Sequence, residues 1–179
     1  MNDGLIPNRY AKALYKAATE QGTAEQVYAA MKRLEGAFAA EPRLQRAVEN
    51  PYMAAAEKQK LLTTAAGVGD DKLAGQFFAL IIDNNRVALA RGMALAFLRI
   101  YREQKGIEQV TITTAAKLTD KALSELRKVV ERYAAGKTLE YDYRIDPQLI
   151  GGFTITMESK MLDASLKNEL KQLRLNLLS

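Results

Sequence analysis

The sequence predicts an α+β protein in which an N-terminal antiparallel six-helix bundle is followed by a small C-terminal α+β domain. Through the first hundred residues, apolar side chains recur every three or four positions, which is the spacing of amphipathic helices. Near Gly106 the spacing changes to strict alternation, which is typical of strands with one buried face. Hydrophobic residues make up 48% of the 179 residues, enough for one large core or two small ones.

The first part, residues 1–104, is predicted to hold six amphipathic helices joined by short loops. Thr23 and Gln26 form a predicted capping box for the second helix, and Asp70 is the predicted cap of the fifth. Because such helices must bury their apolar stripes against one another, they predict a bundle. The residues predicted to face inward include Val27, Met31, Leu34 and Phe38 in the second helix, Leu73, Phe77, Leu80 and Ile81 in the fifth, and Met93, Ala96, Phe97 and Ile100 in the sixth.

The second part, residues 105–179, is predicted to form a small mixed unit. Val110 and Ile112 alternate with threonines in a first strand, and Thr119 caps the helix that follows. Glu158 and Ser159 predict a hairpin turn. Two later strands have inward residues Leu139, Tyr141, Tyr143 and Ile145 in one and Phe153, Ile155 and Met157 in the other, and the last helix carries Leu166, Leu170, Leu173 and Leu177.

The residue types that the chain lacks restrict its chemistry. It contains no His and no Cys, which excludes Ser/His triads, cysteine nucleophiles and the usual zinc sites. It has no phosphate-binding loop, because the Gly67–Gly69 segment is followed by two aspartates that would repel a phosphate. We therefore expect a binding protein with no catalytic site, cofactor or metal. A small enzyme that uses carboxylates stays open, although no motif supports it.

The net charge of +5 is spread along the chain. Residues 1–104 carry 14 basic and 11 acidic side chains, and residues 105–179 carry 12 and 10. A nucleic-acid interface usually has its cations clustered in a stripe, so solvated helix faces are the favoured interpretation. An RNA-binding accessory protein is the alternative, motivated by the basic balance.

No segment of the sequence predicts a membrane span or a targeting signal. The longest run without a charge, Pro147–Met157, has eleven residues, whereas a spanning helix needs about 20 apolar ones. The N-terminal segment contains Asp3 and no long apolar region, so it predicts neither a secretory signal nor a clear transit peptide.

Several candidate residues fit two interpretations. Tyr10, Ala13, Leu14 and Ala17 of the first helix fit either a packed core or a groove that takes a partner helix, because small residues let another helix approach. The four leucines of the last helix fit either the thin core of the second part or a seam for partner helices. Gly151 and Gly152 let the chain turn sharply before the strand at Phe153. Asp163 is the predicted cap of the last helix, with Ser165 as the alternative.

Several short segments occur in an order and spacing that resemble one family. They cover almost the whole chain and are Arg9–Tyr15 (RYAKALY), Asn50-Pro51 with Lys60–Leu62 after it, Asn85-Arg86, Leu149–Phe153 (LIGGF) and Leu162–Leu166 (LDASL). This set resembles the delta subunit of bacterial F-type ATP synthase, whose mitochondrial relative is the oligomycin-sensitivity-conferring protein. The chain departs from the pattern at Ala164, where glycine is more often expected.

The resemblance implies a peripheral-stalk (stator) subunit that links the catalytic head to the stalk and resists the torque of the rotor. It implies that residues 1–104 bind the N-terminal helix of an alpha subunit and that residues 105–179 bind the ends of the b subunits. The expected location is the cytoplasmic face of the bacterial cell membrane, with membrane contact only through the complex and no nucleic-acid partner.

The resemblance adds expected contacts to the two ambiguous sets of residues, and for the leucines of the last helix we expect some core and some seam. It favours a groove for the alpha subunit between the first and fifth helices, with Tyr10, Ala13, Leu14, Ala17, Phe77, Leu80 and Ile81. It favours a seam for the b subunits on Leu166, Leu170, Leu173 and Leu177.

Overall fold

A computed structural model describes residues 4–68, 72–134, 136–157 and 160–178 of the chain. Contacts between Cα atoms divide the chain into two compact units, Met1–Tyr101 and Arg102–Ser179. The first unit is helical, and the second combines helices with a four-stranded sheet, so the α+β class is confirmed. The division falls inside a helix, between Tyr101 and Arg102.

Six α-helices occur in the described residues of the N-terminal part. They are α1 (Leu5–Glu20), α2 (Ala24–Ala40), α3 (Pro42–Glu49), α4 (Ala55–Ala66), α5 (Lys72–Asp83) and α6 (Ala90–Lys105), and a 3₁₀ turn at Val87–Leu89 precedes α6. Helix α2 contacts α1, α3, α4 and α5, so it occupies the middle of this unit.

The apolar stripe of α2 faces inward as the sequence predicted. Val27, Met31, Leu34 and Phe38 are all buried. The predicted inward residues of α6, Met93, Ala96, Phe97 and Ile100, are buried as well. In α5 the prediction is wrong for Leu80, which is 50% exposed. Because α5 is apolar on most of its circumference, its sequence did not distinguish the inner face from the outer one.

The predicted capping box at Thr23 is wrong, because this residue ends α1 instead. The Thr23 N–H donates to the Ala18 carbonyl at 2.8 Å, and the N–H of Gly22, which has φ of +70°, donates to Thr19 at 3.2 Å. This is a Schellman arrangement. It leaves Thr23 outside the extended conformation that a capping residue needs, and its hydroxyl is buried without a partner. The predicted cap Asp70 and the predicted turn at Glu158 and Ser159 lie outside the described residues.

The C-terminal unit is a mixed sheet with one helix on its face and one at its end. Its elements are β1 (Ile107–Thr114), α7 (Asp120–Tyr133), β2 (Thr138–Ile145), a 3₁₀ turn (Pro147–Leu149), β3 (Gly152–Met157), β4 (Lys160–Ser165) and α8 (Leu166–Leu178). The strand order is β2-β1-β3-β4, with β1 and β2 parallel and the other pairs antiparallel. Thr119 caps α7 as predicted, accepting from the Ala122 N–H.

The core of this unit is small and lies between α7 and one face of the sheet. It consists of Val110, Ile112, Val130 and Ile155, with Leu126, Leu139, Tyr141, Phe153 and Met157 packed against it. The predicted inward face of β2 is only partly covered, since Tyr143 is 39% and Ile145 59% exposed. Strand β2 is an edge strand, and its last residues extend beyond this core. A core of this size predicts a unit of low stability.

Gly152 permits β3 and β4 to pair where α8 begins. It has φ of +76°, and a Cβ at this position would overlap the carbonyl oxygen of Ala164 on β4. Ala164 itself lies within β4 and pairs with Phe153. The turn predicted around Gly151 and Gly152 is therefore followed at once by a ladder in which Gly152 pairs with Ser165.

We expect Gly152→Ala to destabilise the C-terminal unit by roughly 1–3 kcal/mol, because alanine is strained at this φ and its methyl group overlaps backbone. Gly36→Ala is the matched control: Gly36 lies in the middle of α2 with nothing within 4 Å of its Cβ position, so alanine should stabilise the helix by about 0.5–1 kcal/mol. Native-state hydrogen exchange resolves the two units. Unchanged protection of β3 and β4 in Gly152→Ala would show that their pairing does not require glycine at this position.

Candidate partner-binding surfaces

Helix α8 is exposed along its described length. Leu166, Leu170 and Leu173 are 46%, 54% and 57% exposed, and from Leu166 to Leu175 only Asn168 is half-buried. The three leucines recur at the spacing of one helix face and form an exposed stripe, which we call the leucine stripe. The side chain of Leu177 lies outside the described residues. Of the two interpretations of these leucines, the thin core is therefore wrong for the three that are described.

The first turn of α8 holds the helix to the sheet. The Leu166 N–H donates to the Gly151 carbonyl at 3.0 Å, and the Asn168 N–H donates to Ser165 Oγ at 3.2 Å. Ser165, which is 1% exposed, is thus the cap of α8. The prediction that Asp163 caps this helix is wrong, because β4 continues through Asp163 to Ser165. Among the described residues, the elements that α8 packs against are β4 and the 3₁₀ turn at Pro147–Leu149.

Asp163 has a different role, as an acceptor that orders the end of β4. Its Oδ1 accepts from the Ser165 N–H at 3.0 Å. The Ser165 side chain and then its backbone N–H, with a smaller effect from Lys167, hold the pKa of Asp163 below its ordinary value. Hydrogen bonds to a carboxylate favour its charged form, which is why they lower this pKa.

Gly151 approaches α8 more closely than a turn alone requires. A Cβ on Gly151 would lie 2.5 Å from Leu166 Cδ1. Ile150, just before it, has φ of +66°, a strained value for a β-branched residue. The two glycines and Ile150 therefore shape the loop that receives the first turn of α8.

The seven residues predicted for a groove on α1 and α5 divide into three groups. Ala13 and Leu80 are exposed, and Tyr10 and Ala17 are half-buried. Leu14, Phe77 and Ile81 are buried in the N-terminal unit. Helices α1 and α5 each pack against α2. The last three residues belong to the core, whereas the other four are accessible to a partner.

A polar groove lies on the sheet face that α7 does not cover. It has a volume of about 550 Å³. Its floor carries two cross-strand threonine pairs, Thr111 with Thr156 and Thr113 with Thr154. Its walls include Arg144, Asp146, Leu149, Met161, Asp163, Ser165, Lys167, Asn168 and Lys171. We call it the threonine groove. No local pattern in the sequence indicates it, because only the pairing of β1 with β3 brings these threonines together.

A second groove, of about 440 Å³, lies between α7 and the β3–β4 side of the sheet. Val129, Tyr133, Met161 and Leu162 line it and are 41%, 84%, 63% and 53% exposed. Lys137 and Glu108, joined at 2.9 Å, also line it. The sequence offered one signal for this surface, the adjacent apolar residues Met161 and Leu162 in a strand whose two faces both stay exposed.

Within the described residues, no helix is both long and apolar enough to cross a bilayer, and no three His, Cys, Asp or Glu side chains are grouped as metal ligands. Asp146 and Asp163 each accept from a backbone N–H two residues ahead, which is ordinary turn chemistry.

Comparison with known proteins gives consistent matches over nearly the whole chain. Residues 6–177 match the family model described as the ATP synthase delta (OSCP) subunit. The curated protein "ATP synthase subunit delta" of Parabacteroides distasonis is 35% identical over 178 residues, covering 99% of this chain and 98% of the relative. The protein of that name from Phocaeicola vulgatus is 34% identical, covering 96% and 92%.

A solved structure shares the fold. A chain of the Toxoplasma gondii mitochondrial ATP synthase hexamer superposes with a TM-score of 0.72 and covers 97% of each chain. Its sequence identity of 22% makes this a likeness of fold alone.

We expect Ser165→Ala to raise the pKa of Asp163 toward its ordinary value while leaving it somewhat low, because the backbone N–H of residue 165 stays in place. A carboxyl whose pKa is lowered by folding contributes stability above its unfolded-state pKa and loses it as the pH falls through the folded value. The difference in free energy of unfolding between the unsubstituted chain and Ser165→Ala should therefore become smaller at acid pH.

A carboxyl ¹³C titration by NMR measures the pKa of Asp163, and urea unfolding at several pH values measures the stability. Ser124→Ala is the matched control, since Ser124 is an exposed residue of α7. An Asp163 pKa that is identical in Ser165→Ala and Ser124→Ala would show that the Ser165 hydroxyl does not hold the carboxylate.

Proposed function

Because the chain belongs to the ATP synthase delta (OSCP) family, we propose that it joins the catalytic head of the enzyme to the stalk b subunits through two separate surfaces, one on each unit. It is a non-catalytic subunit of F-type ATP synthase and a component of the peripheral stalk. The relatives support this role and do not support the RNA-binding alternative.

The proposed attachment to the stalk is supported by one observation, the exposed leucine stripe. An amphipathic helix normally buries its apolar face, and α8 leaves Leu166, Leu170 and Leu173 about half exposed. Such a stripe on a terminal helix is typical of a surface that another chain covers. We assign it to the ends of the b subunits, and Leu177 stays a further candidate from the sequence alone.

The proposed attachment to the catalytic head uses the groove predicted on α1 and α5. Ala13 is exposed and small, Leu80 is exposed and large, and Tyr10 and Ala17 are half-buried. This combination suits a helix that inserts an apolar residue beside Leu80 while approaching α1 closely at its alanines. We assign the groove to the N-terminal helix of an alpha subunit, with Leu14, Phe77 and Ile81 supporting it from the core.

Attachment at both ends would let the subunit hold the head still against the torque of the rotor. Two contacts on one chain act as a multivalent link. When one contact dissociates, the other keeps the partners at a high effective concentration, so the first contact can form again. The proposed location is the cytoplasmic face of the bacterial cell membrane, reached only through the complex. The six helices and their short connections support an antiparallel six-helix bundle as the form of the head-binding part.

For the stalk end, we expect Leu170→Asn to weaken binding of the full chain to the soluble part of the b subunits by about tenfold or more, because the contact loses a buried leucine. The stability of the free chain should change little, since Leu170 is 54% exposed. Leu95→Asn is the matched control: Leu95 lies on α6 and is 48% exposed. Titration calorimetry measures the affinity, and equal affinities of the two variants would contradict the assignment of α8.

For the head end, we expect a peptide from the alpha subunit's N-terminus to shift the amide resonances of Tyr10, Ala13, Ala17 and Leu80 in the full chain. Leu80→Asn should weaken the peptide about tenfold, because it removes apolar contact area from an exposed position. Leu95→Asn again serves as the control. Shifts confined to residues 102–178, or a Leu80→Asn variant that binds normally, would show that the peptide does not use this groove.

A further inference from the structure

A row of cations runs beside the leucine stripe on α8. Lys167, Lys171 and Arg174 each follow a stripe leucine by one position, so they form a second row about 100° further round the helix. We call these three residues the basic row. None of them makes an ion pair within the described part of the chain. The one acidic residue among the described positions of α8 is Glu169.

Two members of the basic row also form a wall of the threonine groove. Lys167 and Lys171 line it together with Asn168, opposite the floor of threonines. The leucine stripe, the basic row and the threonine groove therefore adjoin one another through α8. A partner that covers the stripe meets the lysines at its margin and the groove beyond them.

One hydroxyl on the groove floor has no partner among the described residues. Thr154 is 5% exposed and lines the groove, and its hydroxyl makes no hydrogen bond among the described residues. Its place on the floor of an open groove means that a molecule entering the groove can supply a hydrogen-bond partner.

The groove has a small excess of positive charge. Three cations line it, Arg144, Lys167 and Lys171, against two carboxylates, Asp146 and Asp163. Asp146 Oδ1 accepts from the Gln148 N–H at 2.9 Å, and Asp163 Oδ1 accepts from the Ser165 N–H at 3.0 Å. Arg144 Nε donates to Asp142 at 3.0 Å. Lys167 and Lys171 supply two of the three cations and lie near the N-terminus of a thirteen-residue helix, whose dipole also favours negative charge.

We propose that these three features form one docking surface for an acidic amphipathic helix, with apolar residues on the leucine stripe and carboxylates at the basic row and the threonine groove. The inference rests on the stalk end of the proposed function and deepens it. It gives the chemistry of the segment that α8 takes, and it assigns partner selection to Lys167 and Lys171. Opposite charge at the margin of an apolar contact raises the association rate and excludes partners of the wrong sign.

The test compares two double variants of the full chain that carry the same change of charge. Lys167→Gln/Lys171→Gln removes both lysines from the surface, and Lys121→Gln/Lys128→Gln removes two exposed lysines from α7. The probe is the soluble part of the b subunits of the same enzyme, followed by titration calorimetry and stopped flow over a range of salt concentrations. We expect the α8 variant to bind about fivefold more weakly at low salt and with a flatter salt dependence, since exposed ion pairs are weak and screened. The α7 variant should bind normally.

A second pair of variants tests the groove. Thr154→Val keeps the shape of the side chain and removes the hydroxyl, so it should leave stability nearly unchanged and weaken binding roughly threefold to tenfold. Thr138→Val, at the exposed start of β2, is its control. Normal binding by Thr154→Val overturns the groove half of the proposal.

Each outcome separates this inference from the proposed function. If the unsubstituted chain fails to bind the probe even at low salt, the stalk assignment itself is wrong. If it binds, and the α8 double variant binds equally well or more tightly, the partner is not acidic and the inference is overturned while the stalk assignment stands. If sedimentation of the chain alone shows a dimer that Leu170→Asn abolishes, the occupant of the stripe is a second copy of the chain and the inference is overturned.

Discussion

The hydrogen bond from the Leu166 N–H to the Gly151 carbonyl, 3.0 Å long, sets where the last helix leaves the sheet. Ser165 caps the same turn, and the absence of a side chain on Gly151 gives Leu166 the space it needs. After this turn α8 has almost no support from its own chain. All the surfaces assigned to the stalk depend on this arrangement, because a helix fixed only at its start presents its remaining faces to a partner.

The two units differ in how much apolar surface they leave exposed. In residues 1–101 the described large apolar side chains that stay exposed are few and separate: Leu5, Tyr52, Leu80 and Leu95. In residues 102–178 they are numerous and include stripes and grooves on α7, β4 and α8. The core between α7 and the sheet is small, so much of the apolar surface of this unit has nothing within the chain to cover it. If the second unit binds the stalk as proposed, the partner would cover apolar surface that this unit leaves exposed, whereas the first unit buries most of its large apolar side chains within itself.

How much the sequence could predict depended on how local each feature was. The inward face predicted for α2 was correct, because its apolar residues Val27, Met31, Leu34 and Phe38 are separated by more polar or smaller residues. The inner face of α1 was harder: the helix buries Pro7, Ala11, Leu14 and Ala18, and its alanines occur on several faces and carry little information about orientation. The cap of α8 was missed by two residues, because Asp163 and Ser165 are both good capping residues and only the length of β4 decides between them. The leucine stripe was visible as a pattern, but a stripe looks the same whether its own chain or another one covers it. The threonine groove required the register of β1 with β3, which no local pattern contains.

The direct continuation of β4 into α8 has a mechanical consequence. Strand β4 ends at Ser165 and α8 begins at Leu166, so no loop lies between them. Tension applied to the helix passes straight into a strand that is paired with β3 at six positions, from Gly152 with Ser165 to Met157 with Lys160. A flexible linker would have to extend before it transmitted force, so small displacements of the helix would not reach the sheet. Without a linker, even a small displacement of α8 is transmitted to β4.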